Sequence, residues 1–172
     1  MPDEYIDSAA KLIVQLKRQT RSSMRWTKPE NLHLTLRFLG NVDQGKLDGI
    51  YTALTPLTSA PFTLQADGFG AFPNTARPHS IWLALAEGGD HSVSLAERIA
   101  EALLPLGFDR PRPIRPHLTL GRVKQSNDDW PSVLSNTPAA FPSITVTRFT
   151  LWQSDLTPDG PIYTPLKEFP LT

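Results

Sequence analysis

The chain has 172 residues, and its 17 Lys and Arg balance 17 Asp and Glu, which argues against coating long nucleic acid by bulk charge. It has no cysteine, which excludes disulfides, thiolate catalysis, Fe–S clusters and thiolate zinc sites, and its four histidines are few for a multi-histidine metal cage. No apolar run approaches the roughly 20 residues of a membrane span, and no signal peptide opens the chain, so a cytoplasmic globular protein is expected.

Residues 3–19 carry Ile6, Ala9, Ala10, Ile13 and Leu16 on one helical stripe, with Asp3 positioned to cap the start. Residues 20–31 are polar and basic and read as a loop. Residues 32–39 (LHLTLRFL) alternate apolar and polar side chains and predict a strand. Asp43 opens a second helix with Leu47, Ile50, Tyr51 and Leu54 inward, and Pro61 precedes a short strand at 62–66. Residues 68–78 (GFGAFPNTARP) are loop by composition. Residues 81–86 (IWLALA) predict a buried strand and Gly88-Gly89 a turn. A third helix is expected over 90–106, with Leu95, Ala96, Ile99 and Leu103 on one face and Gly107 ending it. A proline-rich arm, 110–116 (RPRPIRP), leads into a strand at 117–123 and a short helix at 128–134. Residues 143–153 (SITVTRFTLWQ) are the clearest strand by β-branched and aromatic content, and 163–169 form a last extended segment. No linker or low-complexity tract intervenes, so residues 1–172 are expected to form one domain.

Two of the predicted strands carry the same tetrapeptide. His33-Leu34-Thr35-Leu36 and His117-Leu118-Thr119-Leu120 are identical and lie 84 residues apart. A helix precedes each, and a helix and then a strand follow each, so the element order repeats as well. The second half has a strand, 81–86, ahead of its helix, whereas the first helix begins at Asp3. Either the duplication is imperfect or a first strand is missing. The sheet would compensate with an exposed edge or a strand borrowed from another chain, as in a strand-swapped dimer.

In a strand, residues i and i+2 share a face, so each copy offers one imidazole and one hydroxyl together and turns its leucines to the core. If the halves face each other by pseudo-two-fold symmetry, His33, Thr35, His117 and Thr119 converge. That set suits phosphoryl transfer without metal. In-line displacement needs a base for the attacking water and an acid for the departing oxygen, on opposite sides of phosphorus. Imidazoles titrate near neutrality and serve in either role, and hydroxyls donate to non-bridging phosphate oxygens. Two half-buried strands with polar outer faces are the plainest alternative, and a two-histidine metal site is another. No Asp or Glu lies within either strand to complete a metal site.

Charge placement points to an anionic ligand. Residues 8–37 hold seven basic side chains and one acid, Glu30, and residues 110–124 hold five basic side chains and no acid. Arg115 and Arg122 belong to the second group, and Arg122 lies five residues after His117. Arg37, by alternation, is expected on the Thr35 face. Phe38, Phe72 and Trp26 are candidates for stacking on a base, with core packing as the alternative. His79 and His91 have no motif partner.

The paired H-x-T-x motifs, with ENLHLTLRFLG at 30–40, GAFP at 70–73, RPIRPHLTLGR at 112–122 and YTPLKEFPL at 163–171, resemble the RNA 2′,3′-cyclic phosphodiesterases (formerly 2′-5′ RNA ligases) of the 2H phosphoesterase superfamily. The resemblance implies an α+β fold with two pseudo-symmetric lobes of antiparallel sheet and flanking helices around a central cleft. It implies opening of a 2′,3′-cyclic phosphate at an RNA 3′ end to a 2′-phosphomonoester, with no cofactor and no metal. His33 would be the proton donor to the leaving 3′ oxygen and His117 the proton acceptor that activates water. Thr35 and Thr119 would hold the phosphate. Charge, alternation and stacking add Arg122 as a phosphate-binding residue and Phe38, Phe72, Arg37 and Arg115 as flanking ones. Reversal, with an RNA 5′ hydroxyl replacing water, would form a 2′-5′ linkage. A non-catalytic RNA-end or nucleotide binder is the alternative of another class. A related 2H enzyme acting on 2′-5′ oligonucleotides or small cyclic nucleotide phosphates is a third.

Overall fold

A computed structural model describes residues 1–139, 141–158 and 160–172. In chain order its elements are α1 (Asp3–Gln19), β1 (Ser23–Trp26), α2 (Leu47–Leu54), β2 (Phe62–Phe72), β3 (Ser80–Glu87), α3 (Gly89–Leu103), β4 (Leu118–Gln125), α4 (Trp130–Ser135), β5 (Ile144–Val146), β6 (Arg148–Thr157) and β7 (Gly160–Pro170). One sheet runs in the order β1-β4-β3-β2-β5, and β6 and β7 form a separate two-stranded sheet. The pairs β1–β4, β2–β3, β3–β4 and β6–β7 are antiparallel, which makes the fold α+β as expected. Among the described residues no helix is long and apolar enough to cross a membrane.

The chain divides into two compact units, each assembled from separated stretches. The first comprises Met1–Thr35, Leu64–Gly89 and Pro116–Ile144, and the second Leu36–Thr63, Asp90–Arg115 and Thr145–Thr172. Neither unit corresponds to one sequence half. Each draws segments from both, and the first contains both H-x-T motifs.

The first unit buries one stripe of α1, formed by Tyr5, Ala9, Leu12, Ile13 and Leu16. That stripe is turned slightly from the predicted one, so Ile6 and Ala10 are only half-buried. Asp3 stands in the first turn after Pro2 rather than capping it, and with Glu4 it meets the positive helix end while Lys17 and Arg18 meet the negative end. Leu64, Ala66, Ala71, Ile81, Leu83, Leu118 and Leu120 supply the buried strand residues, and Trp130 and Leu134 those of α4. The loop before β1 is tied to the loop after β4 by Asp128. Its carboxylate accepts the Arg21 N–H at 2.9 and 3.0 Å, the Ser22 N–H at 2.7 Å and the Ser22 hydroxyl at 2.5 Å.

In the second unit Ile50, Leu54, Phe62, Leu95, Ile99, Leu103, Phe149, Phe169 and Leu171 form one apolar cluster. Phe149 and Phe169, paired across β6 and β7, stack with ring centroids 4.8 Å apart. After α3 and one 3-10 turn, Gly107 takes φ +82°, the left-handed stop expected of it.

Four expectations about the strands need correction. The strand predicted over 32–39 is absent, and only Leu34 makes a bridge, to Leu118. The physical reason is competition for one edge. β1, within the stretch expected to be a loop, pairs with β4 from Gly121 to Gln125, leaving only the start of β4 for Leu34. β2 runs on to Phe72, because residues 66 and 69–72 find ladder partners on β3. The strand predicted over 143–153 is interrupted at Thr147, whose carbonyl accepts the Leu171 N–H at 2.8 Å.

Candidate active site

The two HLTL segments meet through the antiparallel Leu34–Leu118 bridge. Residues one step either side of such a pair oppose each other, so His33 stands opposite Thr119 and Thr35 opposite His117. The leucines turn to one side of the sheet and these four side chains to the other. Leu118 is fully buried, whereas His33 is exposed and Thr35, His117 and Thr119 are half-buried. Because the bridge joins the same residue of each copy, an approximate local two-fold axis through it carries one motif onto the other. The imidazoles occupy one diagonal of a parallelogram and the hydroxyls the other. With about 3.3 Å per residue and about 4.8 Å between strands, each diagonal spans roughly 8 Å between Cα atoms.

Local contacts hold each histidine. The His33 ring approaches the Asn31 carbonyl oxygen at 2.7 Å through Nδ1. A carbonyl only accepts, so Nδ1 is the donor in this contact. His117 packs edge-on to Phe72, with centroids 5.2 Å apart, and beside Trp82 at 5.5 Å. Phe72 and Trp82 are themselves 5.1 Å apart. Trp82 pairs with Thr119 on one side and Gly70 on the other. Its indole lies so close over Gly70 that a Cβ there would fall 2.0 Å from the ring. Glycine at 70 is therefore what leaves room for the tryptophan ring beside the histidine. On the far side of β4, the Thr27 hydroxyl donates to the Thr119 carbonyl at 2.8 Å and the Thr27 N–H to the Leu120 carbonyl at 2.8 Å.

Arg122 reaches the same face by a β-bulge. Strict alternation from Thr119 would turn residue 122 toward the core. On β3, however, Trp82 pairs with Thr119 and Ile81 with Gly121, so Leu120 is an extra residue in β4. The bulge shifts the phase, and Arg122 pairs with Ser80 on β3 and Arg25 on β1. Ser80 pairs in turn with Phe72. Since residues 70 and 72 of β2 share a face, the row Arg25–Arg122–Ser80–Phe72 lies on the face of Thr119, Trp82 and Gly70.

Trp26 pairs with Gly121 and its ring lies against that glycine, on the opposite face from Thr119 and Arg122. Arg37, Phe38 and Arg115 belong to the second unit. The alternation that placed Arg37 on the Thr35 face does not hold, because no strand runs past Leu34, and its guanidinium donates to the Asp109 carbonyl. Phe38 is 81% exposed, and Arg115 is also exposed. His91 stacks on Phe62 with centroids 5.3 Å apart. Trp82 and Arg25 were not singled out by the sequence. Trp82 sits inside an apolar run that reads as core, and only its pairing with a glycine reveals its position.

The family model for LigT-like phosphoesterases matches residues 1–82 and 84–163, two stretches that each hold one HLTL segment. The RNA 2′,3′-cyclic phosphodiesterase of Archaeoglobus fulgidus is 40% identical over 149 residues, covering 86% of this chain and 84% of its own. The crystal structure of the Thermus thermophilus protein TT0787 superposes with a TM-score of 0.80 at 30% identity, over 99% of this chain and 93% of that one. That of E. coli LigT complexed with 3′-AMP does so with a TM-score of 0.76 at 27% identity, over 97% and 92%.

Proposed function

The chain belongs to the LigT-like phosphoesterase family, a phosphodiesterase of RNA 2′,3′-cyclic phosphates, and we propose that two histidines alone carry its acid–base chemistry. The observation that carries this reading is the Leu34–Leu118 bridge, which pairs each imidazole with the other motif's hydroxyl. A phosphorus centred on the local two-fold has one imidazole toward each side, as in-line displacement requires.

In this mechanism His117 takes a proton from water as its oxygen attacks phosphorus. The bond from phosphorus to the 3′ oxygen breaks, and His33 gives that oxygen its proton. The products are a 2′-phosphomonoester and a 3′ hydroxyl. The Thr35 and Thr119 hydroxyls donate to the non-bridging oxygens, whose charge grows in the transition state. The packing of His117 against Phe72 and Trp82 fixes its ring plane, and the Asn31 carbonyl fixes the tautomer of His33. After turnover the two histidines have exchanged roles, so the same pair drives the reverse reaction. With a 5′ hydroxyl in place of water as the nucleophile, the same forward attack forms a 2′-5′ linkage, which the reverse reaction breaks.

The test is incubation with RNA ending in a 2′,3′-cyclic phosphate in the presence of EDTA, followed by identification of the hydroxyl that keeps the phosphate. A 2′-phosphomonoester is expected. A 3′-phosphomonoester, or turnover abolished by the chelator, contradicts the proposal.

A further inference from the structure

We propose that the free edge of β6 is a docking site for one further strand, an apolar segment entering α1 as β3 enters α3.

The two identical motifs differ in how well their leucines are covered. Leu118 and Leu120 are fully buried, whereas Leu34 and Leu36 are only half-buried. The second motif runs into β4, whose neighbour β3 is buried from Ser80 to Leu83. β3 is the strand ahead of the second repeat's helix. It pairs with β4, the motif strand of its own repeat, and with β2, the strand that closes the other repeat. Its counterpart would therefore pair with residues 36–39 on one side and on the other with β6, which closes the second repeat. The second unit holds both segments, and both lack what such a strand would supply. Residues 36–39 form no strand, and β6 pairs with β7 alone among the described residues. Leu36, Leu39, Val146 and Leu151 pack on the apolar cluster of that unit yet stay half-buried.

The two outer edges of the β6–β7 hairpin are unequal. Pro161 and Pro165 of β7 pair with Leu156 and Trp152. Proline has no N–H, so these are pairs of the non-hydrogen-bonded kind, and the lost donors fall on the outer side of β7. Prolines there guard that edge against a further strand. β6 reads RFTLWQSDLT, with no proline or glycine and with β-branched and aromatic residues suited to a paired strand. By the same alternation the N–H groups of Trp152, Ser154 and Leu156 point to its outer side. The hairpin is thus closed to pairing along β7 and open along β6, the strand on which the repeat calls for a neighbour.

The test is backbone amide hydrogen exchange at two protein concentrations, on this chain and on one carrying a copy of residues 80–88 directly ahead of Asp3. A control carries that copy with proline at alternate positions, which cannot pair. In the unextended chain the amides of Trp152, Ser154 and Leu156 should exchange freely, while those of Gln153 and Asp155 are protected. With the copy in place, exchange at Trp152 and Ser154 is expected to slow by about a hundredfold or more. Protection should also appear within residues 36–39, and the protein should keep a monomer's mass. Unchanged exchange in the extended chain overturns the proposal, as does equal protection in the proline control. Protection of the outer amides in the unextended chain overturns it as well, and protection that rises with concentration alongside a dimer's mass gives the edge to a second copy. If the extended chain aggregates, a synthetic peptide of residues 80–87 is added to the unextended chain, and exchange that the peptide leaves unslowed overturns the proposal.

Discussion

Leu34 and Leu118, the second residues of two identical tetrapeptides, face each other across an antiparallel bridge. Leu118 is fully buried there, so its truncation opens a cavity beneath the motif. Leu118→Ala is expected to cost about 2–5 kcal/mol, read as a lower denaturant midpoint. Activity should fall further than the folded fraction does, because the bridge sets the register of all four polar side chains. Activity that simply tracks the folded fraction would show that register is not what the leucine supplies.

His33→Ala and His117→Ala should each reduce kcat on cyclic-phosphate RNA by about 10²–10⁴-fold. Neither ring is buried in the core, so thermal unfolding should stay close to wild type. The wild-type rate should follow a bell-shaped pH profile, with one limb lost in each variant's residual activity. Full activity in either variant would remove that histidine from the mechanism.

Gly70→Ala tests the support of His117. The added methyl meets the Trp82 ring, which is itself almost fully buried and has little room to retreat. A destabilisation of about 1–3 kcal/mol is expected from the overpacking, together with a lower kcat. Trp82→Phe in the same background should recover part of both by vacating the space over residue 70.

Asp128 provides a pH-dependent tie. Burial alone would raise its pKa, but the hydrogen bonds from the Ser22 hydroxyl and the Arg21 and Ser22 N–H groups, with the Arg21 charge, outweigh that and hold it below the usual carboxylate range. A carboxyl depressed in the folded state contributes stability above its unfolded pKa, about 3.9, and loses it as pH falls through the folded value. The Tm gap between wild type and Asp128→Asn should therefore be widest near neutrality and close below about pH 4. A gap independent of pH would assign the tie to neutral hydrogen bonding.

Helices were the most legible part of the sequence. The stripes of α1 and α3 and the stop at Gly107 depend on near neighbours in the chain, and the spacing of apolar residues records them. The repeat was equally plain, because identity needs no geometry. Strand edges were not legible. Whether residues 32–39 pair depends on β1 having already covered β4, and nothing in LHLTLRFL carries that information. The same holds at the site. His33, Thr35, His117 and Thr119 could be named from the motif, while Trp82 and Arg25 were hidden because their positions depend on partners on other strands. Arg122 was singled out from sequence, but the bulge that turns it to the site was not.

Each compact unit borrows from both repeats, so the chain cannot be cut at its midpoint into two working enzymes. One tetrapeptide alone supplies a single imidazole and a single hydroxyl, with the edge that should be bridged left open.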